Sequence, residues 1–180
     1  MKELSLNILD IAKNSVTAGA SLVEISVTEE SSRLTISVKD NGCGMTPEFV
    51  ARVTDPFTTT RTTRKVGLGI PLLQMEARMA GGDLTIESEV GVGTTLTAWF
   101  DAQNIDMPPL GDLTSSVVTL IQGSPEIDFL FTHTVGEAGY ALDTREVREI
   151  MGDISLAEPE VLGWLAEFLT ENESTLRREA

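Results

Sequence analysis

Asp10 and Asn14 stand four residues apart near the start of the chain, so on a helix they project from one face. An Asn side chain offers a neutral carbonyl oxygen suited to a hard cation such as magnesium, and a carboxylate one turn away can hold or deprotonate a water. The same pair is also what a solvated helix stripe contains. A second carboxylate opens the run Asp40-Asn41-Gly42-Cys43-Gly44-Met45. At the end of a strand it can accept from an exocyclic amine such as that of adenine, while the glycines let backbone turn tightly beside a ligand; taken alone, Asn-Gly after a strand is a turn. Gly67-Leu68-Gly69 sits at the entrance to a helix, where free N–H groups and the helix dipole favour phosphate, and Arg61, Arg64 and Lys65 precede it. The fourth element, Gly91-Val92-Gly93-Thr94, is a tight turn with a hydroxyl at its exit, a pattern shared with ordinary hairpins.

The elements that must position these groups follow from periodicity. Leu4, Ile8, Ile11, Ala12 and Val16 recur at helical spacing over residues 2–16, with Glu3, Asn7, Asp10, Asn14 and Thr17 as a polar stripe. Alternation predicts strands over 21–28 and 34–39, and Thr46-Pro47-Glu48 reads as the start of a short helix. Residues 58–66 show no period and read as a loop. A helix over 67–80 follows, with Leu68, Leu72, Met75 and Met79 on one side, then strands over 83–88 and 94–101. The segment from Asn104 to Gly111, with Pro108-Pro109, is the linker candidate. Beyond it the pattern predicts helices over 113–122, 144–151 and 158–171, and strands over 127–135 and 140–142. Trp164, Leu165, Phe168 and Leu169 read as core or a docking face.

Composition bounds the partners. The 180 residues carry a net charge of −15, unevenly placed: residues 1–100 hold 9 basic and 12 acidic side chains, residues 101–180 hold 4 and 16. The acidic second half repels phosphate backbones and anionic lipid, which disfavours nucleic acid and membrane surfaces and leaves basic protein partners. The single cysteine, Cys43, excludes an internal disulfide and a cysteine-cluster metal site and fits a reducing, cytoplasmic setting. No apolar run approaches the ~20 residues that span a bilayer.

The four elements together, in this order, resemble the motif set of the Bergerat-fold ATPases, a superfamily that includes histidine kinases, anti-sigma-factor kinases, gyrase-type and mismatch-repair ATPases. Asp55-Pro56-Phe57-Thr58-Thr59-Thr60 also resembles the Phe-containing start of the nucleotide lid in histidine kinases. The resemblance covers about the first hundred residues. It implies ATP and Mg2+ as ligands. Asn14 would coordinate the magnesium, Asp40 would bond the adenine amino group, and Thr94 would assist through water. Gly42 and Gly44 would let backbone pass the base, Gly67, Leu68 and Gly69 would open the phosphate site, and Arg64 and Lys65 would contact phosphate. Asp10 stands where catalytic members carry a Glu general base, so the carboxylate is one methylene short and hydrolysis, not binding, is the function at stake.

The expectation is therefore an α+β protein: a two-layer sandwich with a mixed sheet and helices on one face over residues 1–103, followed by a small acidic α+β extension over 104–180. Its expected activity is ATP hydrolysis or transfer of the terminal phosphate to a separate protein. The alternative is a non-catalytic nucleotide sensor; the ATPase of a DNA-processing machine ranks behind both because the second half offers no basic track. In a sensor kinase a two-helix segment carrying the phosphoacceptor His precedes the nucleotide helix, and almost no chain precedes it here. The only histidine, His133, lies on a strand pattern and reads as a packed residue rather than an autophosphorylation site.

Overall fold

Alternation in the strands decides which face of the sheet is buried. In the computed structural model, which describes residues 3–55 and 68–180, the order is α1 (Leu4–Thr17), β1 (Leu22–Glu29), β2 (Arg33–Asp40), α2 (Pro47–Val53), α3 (Gly69–Met79), β3 (Asp83–Glu89), β4 (Gly93–Asp101), α4 (Leu113–Gly123), β5 (Asp128–Val135), β6 (Ala138–Asp143), α5 (Thr144–Met151) and α6 (Pro159–Glu179). Val23, Ile25 and Val27 of β1, Leu34, Ile36 and Val38 of β2, Leu96, Ala98 and Phe100 of β4, and Phe129 and Phe131 of β5 all turn to one buried face. Helices α1, α3, α4 and α6 bring Leu4, Ile8, Leu73, Ile121, Leu165 and Leu169 into the same core. Across the opposite face one register row is made of small hydroxylated side chains, Thr85, Thr97, Ser37, Ser26 and Thr132.

The strands form one sheet in the order β3-β4-β2-β1-β5-β6. Every pair is antiparallel except β1 with β5. The class is the expected α+β sandwich with a mixed sheet, and the sheet runs unbroken from β1 into β5. Residues 104–111, the linker candidate, lie along the first turn of α1. That helix has no side-chain cap at Glu3; its leading N–H groups are satisfied instead by the carbonyls of Pro109 (from Leu4, 3.0 Å) and Leu110 (from Ser5, 2.8 Å). The Ser116 hydroxyl of α4 donates to the Ser5 carbonyl at 3.0 Å.

Two helix expectations change. On α3 Ile70, Leu73 and Ala77 are buried, with Gly69 and Pro71, whereas Met75, Met79 and the preceding Leu68 are exposed, so the side marked by Leu68, Leu72, Met75 and Met79 is the outer one. Both sets have helical spacing, and the tighter Ile-Leu-Ala set is the one that fits against the sheet. Helix α6 continues to Glu179 rather than ending near 171, because its last turns are held by polar contacts. The loop expected over 58–66 and most of the lid-like motif after Asp55 lie outside the described residues. No helix among the described residues is long and apolar enough to cross a membrane.

Those polar contacts centre on His133, which is fully buried. Its Nδ1 lies 2.7 Å from Glu173 Oε1 and its Nε2 2.8 Å from Glu29 Oε1. The Tyr140 hydroxyl donates to Glu173 at 2.6 Å, and Arg177 donates to Glu29 at 2.8 and 3.1 Å. With a carboxylate at each ring nitrogen, the protonated imidazole donates twice. Burial opposes that charge, but the bonds donated to Glu173 and Glu29 outweigh it and raise the His133 pKa above 6.5. The bond from His133, assisted by Arg177, lowers Glu29 to about 2. His133 is thus a packed structural residue. Because the His133 pKa is raised on folding, its stabilisation is complete below 6.5 and is lost as pH rises through the folded value. Because that of Glu29 is depressed, its stabilisation is complete above 4.5 and is lost as pH falls towards 2. His133→Gln should cost about 3 kcal/mol, the scale of breaking a buried pair from one side. In chemical denaturation the gap between parent and variant should be widest between these limits and shrink as pH rises; a gap independent of pH from neutral to alkaline conditions would refute the charged network.

Candidate functional site

The carboxylate of Asp40, the last residue of β2, is held at both oxygens. The Gly42 amide donates to Oδ1 at 2.9 Å, and the Ser15 hydroxyl of α1 donates to Oδ2 at 2.6 Å. Ser15 is buried. Each carboxylate oxygen keeps a further lone-pair site, so a group so fixed still accepts from a ligand amine without paying to reorient. Ser15 follows Asn14 directly, so the tether that holds Asp40 sits on the same turn as the predicted magnesium ligand. Sequence reasoning passed over Ser15. The available signal was a hydroxyl on the buried face otherwise occupied by Leu4, Ile8, Ile11 and Ala12.

The turn after Asp40 is anchored on both sides. Asn41 Oδ1 accepts from the amides of Ser21 and Leu22 at 2.9 and 3.0 Å, and the Cys43 amide donates to Ala18 O at 2.9 Å, at the end of α1. Against it packs the β3–β4 turn. Gly44 has φ +69° and lies so close to that turn that a Cβ would fall 2.0 Å from the Glu89 carbonyl oxygen; at Gly93, φ +143°, a Cβ would fall 2.0 Å from the Asp40 carbonyl oxygen. Both positions therefore require glycine on steric grounds. Thr94 is the register partner of Asp40 on β4. Its Oγ1 lies 2.8 Å from the Ser88 hydroxyl, which also donates to Gly93 O at 3.0 Å and accepts from the Met45 amide at 2.8 Å. Ser88, likewise unnoticed in the sequence, thus clamps the two glycine turns together and orients Thr94 beside Asp40.

Along the outer side of α1, Asp10 is exposed and Asn14 half-buried. Gly69 opens α3, and a Cβ there would lie 3.7 Å from a carboxylate oxygen of Asp10. The fold therefore brings Asp10 to the start of α3, where the first-turn N–H groups lack helical partners. Leu68, the residue before the helix, is exposed. Arg64, Lys65 and Gly67 lie outside the described residues. Asn7, placed by its spacing on the polar stripe, is fully buried, and its Nδ2 donates to Glu76 of α3 at 2.9 Å. That bond fixes α1 against α3 below the Asp10–Gly69 approach. No cluster of His, Cys, Asp and Glu suited to hold a metal by protein ligands alone occurs among the described residues, so a magnesium at Asn14 would depend on oxygen ligands from phosphate and water.

Known proteins resemble the chain over the same segment. A family model described as histidine kinase-, DNA gyrase B-, and HSP90-like ATPase matches residues 1–104. Relatives include the signal transduction histidine-protein kinase AtoS of Escherichia coli, 33% identical over 54% of this chain and 16% of its own length. Sporulation kinase C of Bacillus subtilis is 35% identical over 52% of this chain and 22% of its own length. The chain spans less than a quarter of either relative. Among solved structures, the N-terminal domain of a DNA repair protein superposes with a TM-score of 0.53 at 16% identity, covering 79% of this chain and 52% of that one. These matches, over the segment that carries Asn14, Asp40, Gly69 and Thr94, make the chain a member of the histidine kinase-, DNA gyrase B-, and HSP90-like ATPase family, with a histidine-kinase-like nucleotide-binding domain.

Proposed function

We propose that the chain binds ATP with magnesium through residues 1–103 and, in the cytoplasm, hydrolyses it or passes the terminal phosphate to a separate protein. The observation that carries this reading is the Asp40 carboxylate fixed by the Gly42 amide and by Ser15, the residue that follows Asn14 on α1. Asp40 accepts from the adenine amine, and Thr94, oriented by Ser88, assists through water at the same edge of the base. Gly42 and Gly44 let the turn close against Ala18 and Glu89 and so hold backbone beside the base, and Asn14 would hold the magnesium, which when bound neutralises charge on the phosphate oxygens. The phosphates would lie towards the start of α3 at Leu68 and Gly69, and Arg64, Lys65 and Gly67, which precede them in sequence, are kept as phosphate ligands on the family resemblance alone. Asp10, beside Gly69, would orient or deprotonate the attacking group.

The kinase relatives favour phosphotransfer, with a response-regulator-type protein as one class of acceptor. His133 is excluded as acceptor because both ring nitrogens are bonded within the core. An acceptor His would then lie outside these 180 residues, and acid-labile label transferred from the terminal phosphate would mark a His or Asp acceptor, acid-stable label a Ser or Thr. The second reading, a nucleotide sensor without turnover, rests on Asp10 standing where a longer Glu is expected.

Asp40→Asn should abolish ATP binding in calorimetry, since its amide can present a donor to the adenine amine. Ser15→Ala, which frees the carboxylate but keeps its charge, should weaken binding about tenfold, from a charge-assisted hydrogen bond of ~1.5 kcal/mol or more. Unchanged affinity in the Asp40 variant removes the site assignment. Asp10→Asn should retain binding and lose turnover with labelled ATP, alone or with candidate partners present. Parental turnover in that variant excludes Asp10 as base, and saturable binding without turnover in the parent under every partner tested establishes the sensor reading.

A further inference from the structure

The two edges of the sheet are finished differently. At one end β3 carries Asp83, Glu87 and Glu89, is packed by α2, and has Asp83 bonded by Arg78 and Gln74 of α3. At the other end β6 reads Ala-Gly-Tyr-Ala-Leu-Asp. It pairs with β5 in continuous register from Ala138 to Asp143, and among the described residues no strand pairs with its outer side. It has no proline, no lysine and no bulge, the devices that usually stop an edge from pairing with another chain. Gly139 and Ala141 are exposed on its outward face, so side chains do little to shield the backbone.

Beside this edge runs α6, and a series of rings joins the two. Tyr140 of β6 meets Phe168 edge-on at 6.3 Å, and Phe168 stacks on Trp164 at 5.7 Å. Trp164 remains 42% exposed, which is unusual for a side chain that buries most of its surface when packed. Glu160 and Glu167 lie four residues before it and three after, on the same helix face, with Glu171 one turn further; all three are exposed. An indole face bordered by carboxylates attracts a lysine or arginine, the ring through its quadrupole and the acids through charge.

We propose that the open edge of β6 and the Trp164 face of α6 together receive an extended, basic segment of a partner protein, added as a seventh strand with a cationic side chain against Trp164. Charge selects this occupant over a second copy of the chain. Residues 101–180 carry 16 acidic and 4 basic side chains, and of the four arginines Arg145, Arg148 and Arg177 are already paired with Asp143, Asp128 and Glu29. Two copies meeting edge to edge would bring like charges together, whereas a basic strand gains backbone hydrogen bonds and neutralises the rim. The surface stands apart from the nucleotide site, since β6 and β2 are separated by β1 and β5, so it is tested without nucleotide.

The test is a titration of the full chain with a short amidated peptide alternating lysine and valine, followed by amide NMR shifts, with a glutamate-valine peptide as control. Shifts confined to residues 138–143 and the Trp164 indole N–H are expected for the basic peptide alone. Trp164→Ala and Ala141→Lys, both at exposed positions and checked for folding by circular dichroism, should each weaken binding at least tenfold, while Asp40→Asn leaves it unchanged. Absence of edge shifts at millimolar peptide overturns the proposal. So does binding indifferent to both substitutions. Concentration-dependent self-association abolished by Ala141→Lys would assign the edge to a second copy and overturn it as well.

Discussion

A hydroxyl reaching 2.6 Å from α1 to a carboxylate at the end of β2 is the contact on which the proposed nucleotide site depends. A free Asp at a strand end samples several rotamers and is hydrated; one that must discriminate a base has to wait in a single orientation. Ser15 and the Gly42 amide impose that orientation from two directions. The tether also sets the distance between the two halves of the site, because Ser15 shares a helical turn with Asn14 and the opposite side of α1 meets the start of α3 at Gly69. Moving α1 along its axis would disturb all three positions together.

Much of the remaining structure serves to keep α1 where it is. The Asn7–Glu76 bond fixes it to α3, and the apolar face from Leu4 to Ala12 seats it on the sheet. The acidic second half contributes directly. Its leading segment supplies the carbonyls that satisfy the first N–H groups of α1, α4 packs beside the helix, and β5 pairs with β1 along its whole length. The parallel β1–β5 pair requires a crossover, supplied by α4. The buried His133 network then holds α6 against the inner face of β5 and β6.

The strands were legible because alternation with period two leaves one answer: Val23, Ile25 and Val27 must share a face, and they do. The glycine turns were legible only through their joint order with the helix elements, since Asn-Gly after a strand is by itself an ordinary turn. What could not be read was any choice between two equally periodic solutions. On α3, Leu68, Leu72, Met75 and Met79 compete with Ile70, Leu73 and Ala77 at the same helical spacing, and only the shape of the sheet beneath selects the second set. Contacts across long separations were also hidden. Ser88 meets Met45 across 43 residues, and Glu29 meets His133 across 104, so neither partner marks the other in sequence. The length of α6 was underestimated because apolar periodicity thins after Leu169, where Glu173 and Arg177 take over as anchors.

If Asp40 is held ready for an exocyclic amine, that amine must carry a measurable share of nucleotide affinity. The direct measurement compares, by calorimetry on the full chain, ATP with the purine riboside triphosphate that lacks only the amino group. The account predicts at least tenfold weaker binding of the desamino nucleotide; equal affinity for the two would contradict it.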